Sequence, residues 1–282
     1  MRTLWISERT GRRRTGTRVS ELRRLFEIGI TARVIQEPLQ CCASYELGSE
    51  ITEKMVQLDF DVLGVKHSEN EPAIGYVNRC DLKPSRCRDS LHAFEVCDLI
   101  SDSTPLINVL PILRDKPRVF ILSGNSVTGI ITRADLQKPP VRILLFGLVS
   151  LLEIHLSYLV RKLYTDNSWK RKLKKTRLLS ANRLMKQRLA RNENMDLIDC
   201  LQFCDKRDLV TAHSDVCKIL DLKSKNTGKD LLGNIEKLRD KLAHSQDIVE
   251  GTTWEKIIDI AGSIEKLIQR SEKYVESVSG MS

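Results

Sequence analysis

The sequence predicts an α+β protein in two parts, a duplicated mixed unit followed by an all-helical bundle. Three observations predict it. An eight-residue segment occurs twice in the first half, each time behind a short β-branched strand. From Pro139-Pro140 onward, strand-like alternation disappears and apolar residues recur at helical spacing. Charge is also unevenly divided, with twelve Lys/Arg against the single acid Asp166 in residues 161–191. A length of 282 residues suits two domains of ordinary size, and 41% hydrophobic with 29% charged residues is a globular composition rather than a disordered or fibrous one.

Taken in order, residues 1–30 read as a basic arm and helix, with eight Lys/Arg against three acids in residues 1–27. The arm proper, residues 1–18, is expected to order with a partner. Residues 31–138 hold the repeat. Gly75-Tyr-Val-Asn78-Arg79-Cys-Asp81-Leu82 aligns with Gly129-Ile-Ile-Thr132-Arg133-Ala-Asp135-Leu136 at a shift of 54 residues, with Gly, Arg, Asp and Leu coinciding. Each copy has the same prelude. A capped helix begins at Ser49-Glu50, and a second is expected with Thr104 as N-cap and Pro105 at the first helical position. Pro111 is expected to bend or shorten that second helix. The strands Asp61–Val65 and Arg118–Leu122 follow, then turns, then the strand that ends in the octet. Each unit thus runs helix, strand, turn, strand, helix, on a βαββα-type plan.

These two units resemble CBS modules, the family named for cystathionine β-synthase, over roughly residues 31–138. The resemblance implies a pseudo-twofold pair that binds adenosine nucleotides (AMP, ADP or ATP) in clefts between the modules. In the family pattern a hydroxyl residue and adjacent amides meet phosphate, and an Asp accepts hydrogen bonds from the ribose hydroxyls. Carried across, Thr132, Arg133 and Asp135 form the better site, with Asn78, Asp81 and Thr104 as further nucleotide-binding candidates. The first copy departs from the pattern, since Asn78 stands where a hydroxyl is expected, so its cleft is expected to be weaker or empty. The residue types suit the chemistry, because a carboxylate bonds strongly to paired hydroxyls and a helix N-terminus offers free N–H groups to an anion. Asp81 and Asp135 are equally good N-caps for whatever helix follows them. Neither GxGxxG nor GKS/T occurs, so no phosphate-cradling glycine loop is expected.

Residues 139–282 read as helices over about 141–164, 169–192, 196–209, 213–222, 230–244 and 253–277. Within them, Glu236-Lys-Leu-Arg239-Asp240-Lys-Leu-Ala-His244 resembles the Arg-polar…His signature of HEPN domains, helical bundles of which many are metal-independent ribonucleases with a composite site at a dimer interface. Two other Arg/His pairs of similar spacing occur, Arg86/His92 and Arg207/His213, and the amphipathic helix around Arg239 favours the third. The resemblance implies that Arg239, Asp240 and His244 are catalytic, that no metal or cofactor is required, and that a nucleotide-regulated ribonuclease of toxin or stress-response type, with an antitoxin protein as a candidate partner, is the activity to test. Histidine can act as general base or acid, and Arg can hold a phosphate bidentately. One His per chain is too few for both proton transfers, which predicts a homodimer. The alternative is a non-catalytic sensor whose helical half dimerises or binds RNA or protein.

The basic stretch 161–191 is the footprint of a polyanion partner, and Lys170, Arg171, Lys172, Lys174, Lys175 and Arg177 are the RNA-binding candidates, with Trp169 available to stack on a base. A solvated face is the other reading. Eight cysteines form no CxxC pair, and Cys200, Cys204, His213 and Cys217 lack a structural zinc knuckle, so free thiols are expected. The N-terminal arginines precede no apolar run, so no signal peptide is expected. Val141 to Val160 is interrupted by Glu153 and His155 and reads as a buried core helix, not a membrane span. A cytoplasmic location is expected.

Overall fold

The structure is a computed structural model and describes residues 3–7, 9–15, 19–193 and 195–279. It is an α+β chain that divides into two compact units, Leu25–Val141 and, separately, residues 1–24 together with 142–282.

In chain order the elements begin with β1 (Thr3–Ile6), β2 (Arg13–Thr15) and α1 (Val19–Gly29). Then come β3 (Glu37–Pro38), β4 (Cys41–Ala43), α2 (Gly48–Gln57), β5 (Val62–Lys66) and β6 (Gly75–Asn78). The second copy is β7 (Leu99–Ser101), α3 (Leu106–Asp115), β8 (Arg118–Ser123) and β9 (Ser126–Thr132). Both copies are β-α-β-β, with a parallel first pair joined by the helix and an antiparallel second pair. The first forms a three-stranded sheet, β4-β5-β6, and the second a four-stranded one, β3-β9-β8-β7. The extra strand matters: β3 precedes the first copy in sequence yet pairs with β9 of the second.

The octet glycines have a steric cause. A Cβ at Gly75 would lie 2.3 Å from the carbonyl oxygen of His92, which pairs with Tyr76, so the close backbone approach excludes any side chain. Gly129 sits under β3 in the same way, with the Glu37 carbonyl 3.0 Å from its would-be Cβ. The first copy buries Cys42, Ile51, Met55, Leu63, Val65, Val77 and Cys87 in one cluster.

Both prelude helices start differently from the sequence reading. The helix expected from Ser49 starts at Gly48 without a side-chain cap. Thr104 is not an N-cap: α3 begins at Leu106, and Pro105 occupies the capping position. The reason is tertiary pairing, because the Thr104 carbonyl accepts from Ala32 N–H at 2.7 Å and Leu106 N–H donates to the Ile30 carbonyl at 3.0 Å. The α3 helix also continues through Pro111 to Asp115, with Leu106, Val109, Leu110 and Leu113 buried on one side.

In the other unit the helices are α4 (Pro139–Leu163), α5 (Lys175–Leu189), α6 (Phe203–Ala212), the single turn α7 (Val216–Ile219), α8 (Lys225–Ala243) and α9 (Trp254–Ser279). Two expected spans are broken. The 169–192 span is a 3-10 stretch to Lys172, then α5. The 196–209 span is a 3-10 turn (Leu197–Cys200) and then α6, because Asp196/Asp199 and Gln202/Asp205 form successive capping boxes that each start a new helix. Helix α4 is long and apolar enough to cross a membrane by length and composition, yet 67% of its most apolar window is buried. Its polar residues have partners on other elements: Glu153 pairs with Lys206 at 3.1 Å, His155 Nδ1 lies 3.4 Å from Ser271 Oγ, and Arg161 pairs with Asp199 at 2.7 Å. In the arm, β1 and β2 form an antiparallel hairpin, and Ser7 Oγ donates to Asp196 Oδ1 at 2.7 Å. Arm positions 1, 2, 8 and 16–18 lie outside the described residues.

Candidate functional site

The second octet ends β9 and enters a five-residue 3-10 turn, Arg133–Gln137. Asp135 turns back on Thr132: its Oδ2 accepts from the Thr132 N–H at 2.7 Å and from the Thr132 hydroxyl at 3.0 Å. Its Oδ1 pairs with Lys138 Nζ at 2.7 Å, and the same ammonium also reaches Glu37 and the Ile35 carbonyl. Burial opposes the charge on Lys138, but Asp135 and Glu37 together outweigh it and hold the ammonium above its usual range. The side chain of Asp135 is 8% exposed. Capping and a buried ion pair are therefore both functions of this carboxylate. The helix N-terminus expected to face an anion here is only a 3-10 turn, too short to sum a macrodipole.

Around this group lies a cleft of about 580 Å³ within the Leu25–Val141 unit. Thr132, Arg133 and Asp135 line it, with Glu37, Leu39 and Gln40 from the β3 side, Phe60, Asp61 and Val62 from the start of β5, and Arg118 and Ile130 from the second sheet. Three of the nucleotide-binding candidates are thus brought together. Asn78, Asp81 and Thr104 are not among its lining residues.

The first octet ends differently. Asn78 cannot reproduce the Thr132 arrangement, so its Nδ2 donates to Asp81 Oδ2 at 2.7 Å, and His92 Nε2 approaches the same oxygen at 3.1 Å. The Asn78 amide and the Cys80 thiol hold the Asp81 carboxyl below the usual carboxylate range. Asp81 is 43% exposed. Above it, Tyr76 stacks on His92 at 5.3 Å and packs against Phe94 and Phe120, while the Arg118 guanidinium lies 5.5 Å over the Tyr76 ring and donates to Asn78.

In the helical unit, Arg239 and Asp240 sit in the last turns of α8 and His244 is its C-cap, with the His244 N–H bonded to the Asp240 carbonyl at 3.0 Å. Arg239 Nε lies 3.8 Å from Asp240 Oδ1, and His244 is exposed. Among the described residues, no hydrogen bond or ion pair joins Arg239 to His244, as expected for positions rotated by roughly 140° on a helix. In the basic segment, Arg171, Lys172, Lys174 and Lys175 are exposed. Arg177 is exposed too but bonds Gln202 and lies 3.7 Å from Asp205. Trp169 is 2% exposed, with Lys170 Nζ 5.7 Å from its ring centroid, so its indole is packed inside and does not offer a face to a base.

The sequence reading missed Glu37, Leu39, Phe60, Asp61 and Arg118 in the cleft. Glu37 and Leu39 arrive through the β3–β9 pairing, Phe60 and Asp61 from the start of β5, and Arg118 from β8 beside Thr132, and none carries a local motif. Lys138 had a legible signal, standing three residues beyond Asp135.

No protein-family model matches this sequence, and no curated protein matches it. Among solved structures, the CBS-pair protein CBSX2 from Arabidopsis thaliana is 18% identical, covering 41% of this chain and 96% of its own, at TM-score 0.36. The CBS domains of a transcriptional regulator from Streptococcus pneumoniae are 18% identical over 38% and 97%, at TM-score 0.33. A hemolysin-like protein containing a CBS domain, from Oenococcus oeni, is 12% identical over 43% and 96%, at TM-score 0.32. CBSX2 has also been solved in complex with AMP. At such TM-scores these likenesses carry no functional weight for this chain.

Proposed function

We propose that this chain is an adenosine-nucleotide-sensing regulatory protein. The Leu25–Val141 unit takes AMP, ADP or ATP as a regulatory ligand in the cleft beside Thr132 and Asp135, and the helical unit carries the output by binding RNA. The supporting observation is the cleft, in which Thr132, Arg133 and Asp135 meet apolar walls from Leu39, Phe60, Val62 and Ile130. Apolar walls with a few convergent polar groups are what a purine and its ribose require. In this reading Asp135 accepts from the ribose hydroxyls as Lys138 gives way. The exposed Arg171, Lys172, Lys174 and Lys175 would neutralise backbone phosphates without reading sequence.

Thermal unfolding of the full chain with AMP, ADP and ATP tests the first half. Saturation at a hundredfold excess over Kd stabilises the folded state by about 2.7 kcal/mol, and the shift disappears in Asp135→Asn. Three ligands without effect would refute the reading.

A second reading of the helical unit, a metal-independent ribonuclease of toxin or stress-response type with an antitoxin partner, is favoured by one observation. The His244 side chain is exposed at the end of α8 and engaged by no hydrogen bond among the described residues, so it is open to proton transfer, with Arg239 and Asp240 nearby in the chain. This reading needs a homodimer to supply a second His. Incubation with total RNA and EDTA, beside Arg239→Ala and His244→Ala, decides it: cleavage lost in both variants supports the enzyme, and absent or unchanged cleavage leaves the sensor alone.

A further inference from the structure

A second cleft, of about 400 Å³, lies wholly within the helical unit, between the end of α8 and the start of α9. We propose that it binds a small phosphate monoester carrying an apolar body. The proposal stands apart from the nucleotide reading, because no residue of the cleft beside Asp135 lines this one.

Its shape comes from the way α8 hands the chain to α9. Ser245 and Gly251 adopt left-handed φ values of 54° and 70°, so the backbone turns sharply on either side of the buried Ile248. Arg142 of α4 donates to the Lys241 and Gln246 carbonyls at 3.2 and 3.0 Å. Lys241 Nζ in turn donates to the Ile248 carbonyl at 3.3 Å and to the Glu250 carbonyl. These bonds hold the connecting segment as a fixed wall. Leu238, Ile248 and Ile257 are buried beneath it and, with the partly buried Ile260, form an apolar floor.

The rim is basic. Lys237 and Lys241 stand one turn apart on α8, and Lys256 lines the cleft from α9, against the single carboxylate of Glu250, a net charge of +2. The groups that hold Lys241 are carbonyls, which leave its charge uncompensated. Among the described residues, no hydrogen bond or ion pair engages the ammonium group of Lys237 or of Lys256. Like charges one helical turn apart repel, and an anion placed between them relieves that repulsion. A phosphate monoester carries about −1.5 to −2 at neutral pH and matches the charge of the rim. Lysines meet phosphate oxygens as point charges, whereas bidentate recognition of a carboxylate calls for a guanidinium fork, which no lining residue supplies. The Thr252 hydroxyl and the Asn234 amide add neutral donors to the same lining. A bare phosphate would leave the floor unused, and an ester with an apolar body covers it.

The experiment is an NMR titration of the full chain with phenyl phosphate, inorganic phosphate and phenol in turn. Phenyl phosphate should bind about tenfold more tightly than inorganic phosphate, the worth of partly burying one ring. Phenol should show no saturable binding. Lys237→Gln and Lys256→Gln should each weaken phenyl phosphate about tenfold, the scale of one charge-assisted bond. Both positions are exposed, so the variants should unfold at the wild-type temperature. Lys266→Gln, exposed on α9 outside the lining, should leave the affinity unchanged. Three results overturn the proposal: no binding of phenyl phosphate, an affinity no better than that of inorganic phosphate, or an affinity that both cleft lysine variants retain. None of them touches the nucleotide reading, which stands or falls on AMP, ADP and ATP with Asp135→Asn.

Discussion

Asp135 shows how one side chain can close a turn and an ion pair at once. Both of its oxygens are bonded inside the protein, Oδ2 by Thr132 and Oδ1 by Lys138. Replacing it with Asn keeps the shape but removes the charge, leaving Lys138 half-neutralised beside Glu37. The expected cost is about 1.5–3 kcal/mol, the range for hydrogen bonds to charged groups, read as a lower urea midpoint with unchanged slope. Asp81 provides the pH-dependent contrast. Its folded pKa is depressed, first by the Asn78 amide and then by the Cys80 thiol, so its stabilisation is complete above the unfolded value of about 3.9 and is lost as pH falls through the folded value. Wild type should therefore begin to lose its advantage over Asp81→Asn as pH falls below about 4 and lose it further down to about pH 2, as acid neutralises the carboxylate. Urea midpoints across that range measure it, and divergence on acidification would contradict the assignment. The thiols separate in the same physical way. Burial, reinforced by their mutual contact, pushes Cys42 up, and burial also raises Cys87. Both should resist a thiol reagent at pH 8 in the native protein and react once urea is added, whereas exposed Cys97 reacts at once.

At the scale of elements, the sequence shows what is local and hides what is paired at a distance. The βαββ copies were legible because their strands are β-branched, their helices amphipathic and their octets nearly identical in spacing. The cleft was legible only at Thr132, Arg133 and Asp135. Its other wall depends on β3 crossing to β9, a pairing between residues more than ninety positions apart that leaves no periodic trace. The start of α3 was misplaced for a similar reason, since hydrogen bonds from Ala32 and Leu106 fix the backbone around Thr104 more firmly than its own capping preference, and α2 starts at Gly48, whose N–H donates to the distant Ser85 carbonyl at 2.7 Å. Capping decides elsewhere. Asp196/Asp199 and Gln202/Asp205 interrupt what apolar spacing alone reads as one helix. At the start of α8, Ser224 Oγ accepts from the Thr227 N–H at 3.1 Å, so Ser224→Ala should destabilise the protein by about 1 kcal/mol. The repeated glycine carries a larger cost, because Gly75→Ala drives a methyl into the His92 carbonyl. The expected loss is about 1–3 kcal/mol in urea unfolding, and a neutral result would mean that the 91–92 segment yields without resistance.

For the whole molecule, the organising fact is that the chain forms two compact units, each with its own buried core. Charge follows the same partition. Residues 28–138 carry twelve Lys/Arg against fifteen acids, while the excess of cations lies in 161–191 of the other unit. In the proposed reading, sensing and polyanion binding therefore fall on different parts of the chain, and the division predicts how the protein unfolds. Separate cores without a shared two-state transition should give two calorimetric steps. AMP binds only the folded Leu25–Val141 unit in the proposed reading, so it should raise the step belonging to that unit by RT ln(1 + [L]/Kd). RNA should act on the other step, and its effect should fall steeply with salt because it rests on released counterions. Charge reversal at Lys172, Lys174 and Lys175 should abolish the RNA shift and leave the AMP shift intact, while Asp135→Asn should do the reverse. If AMP raises both steps by the same amount, the units are thermodynamically coupled, and the ligand preference of one is felt by the other. If a single step moves with either ligand, the two cores unfold together and the division of labour proposed for them fails.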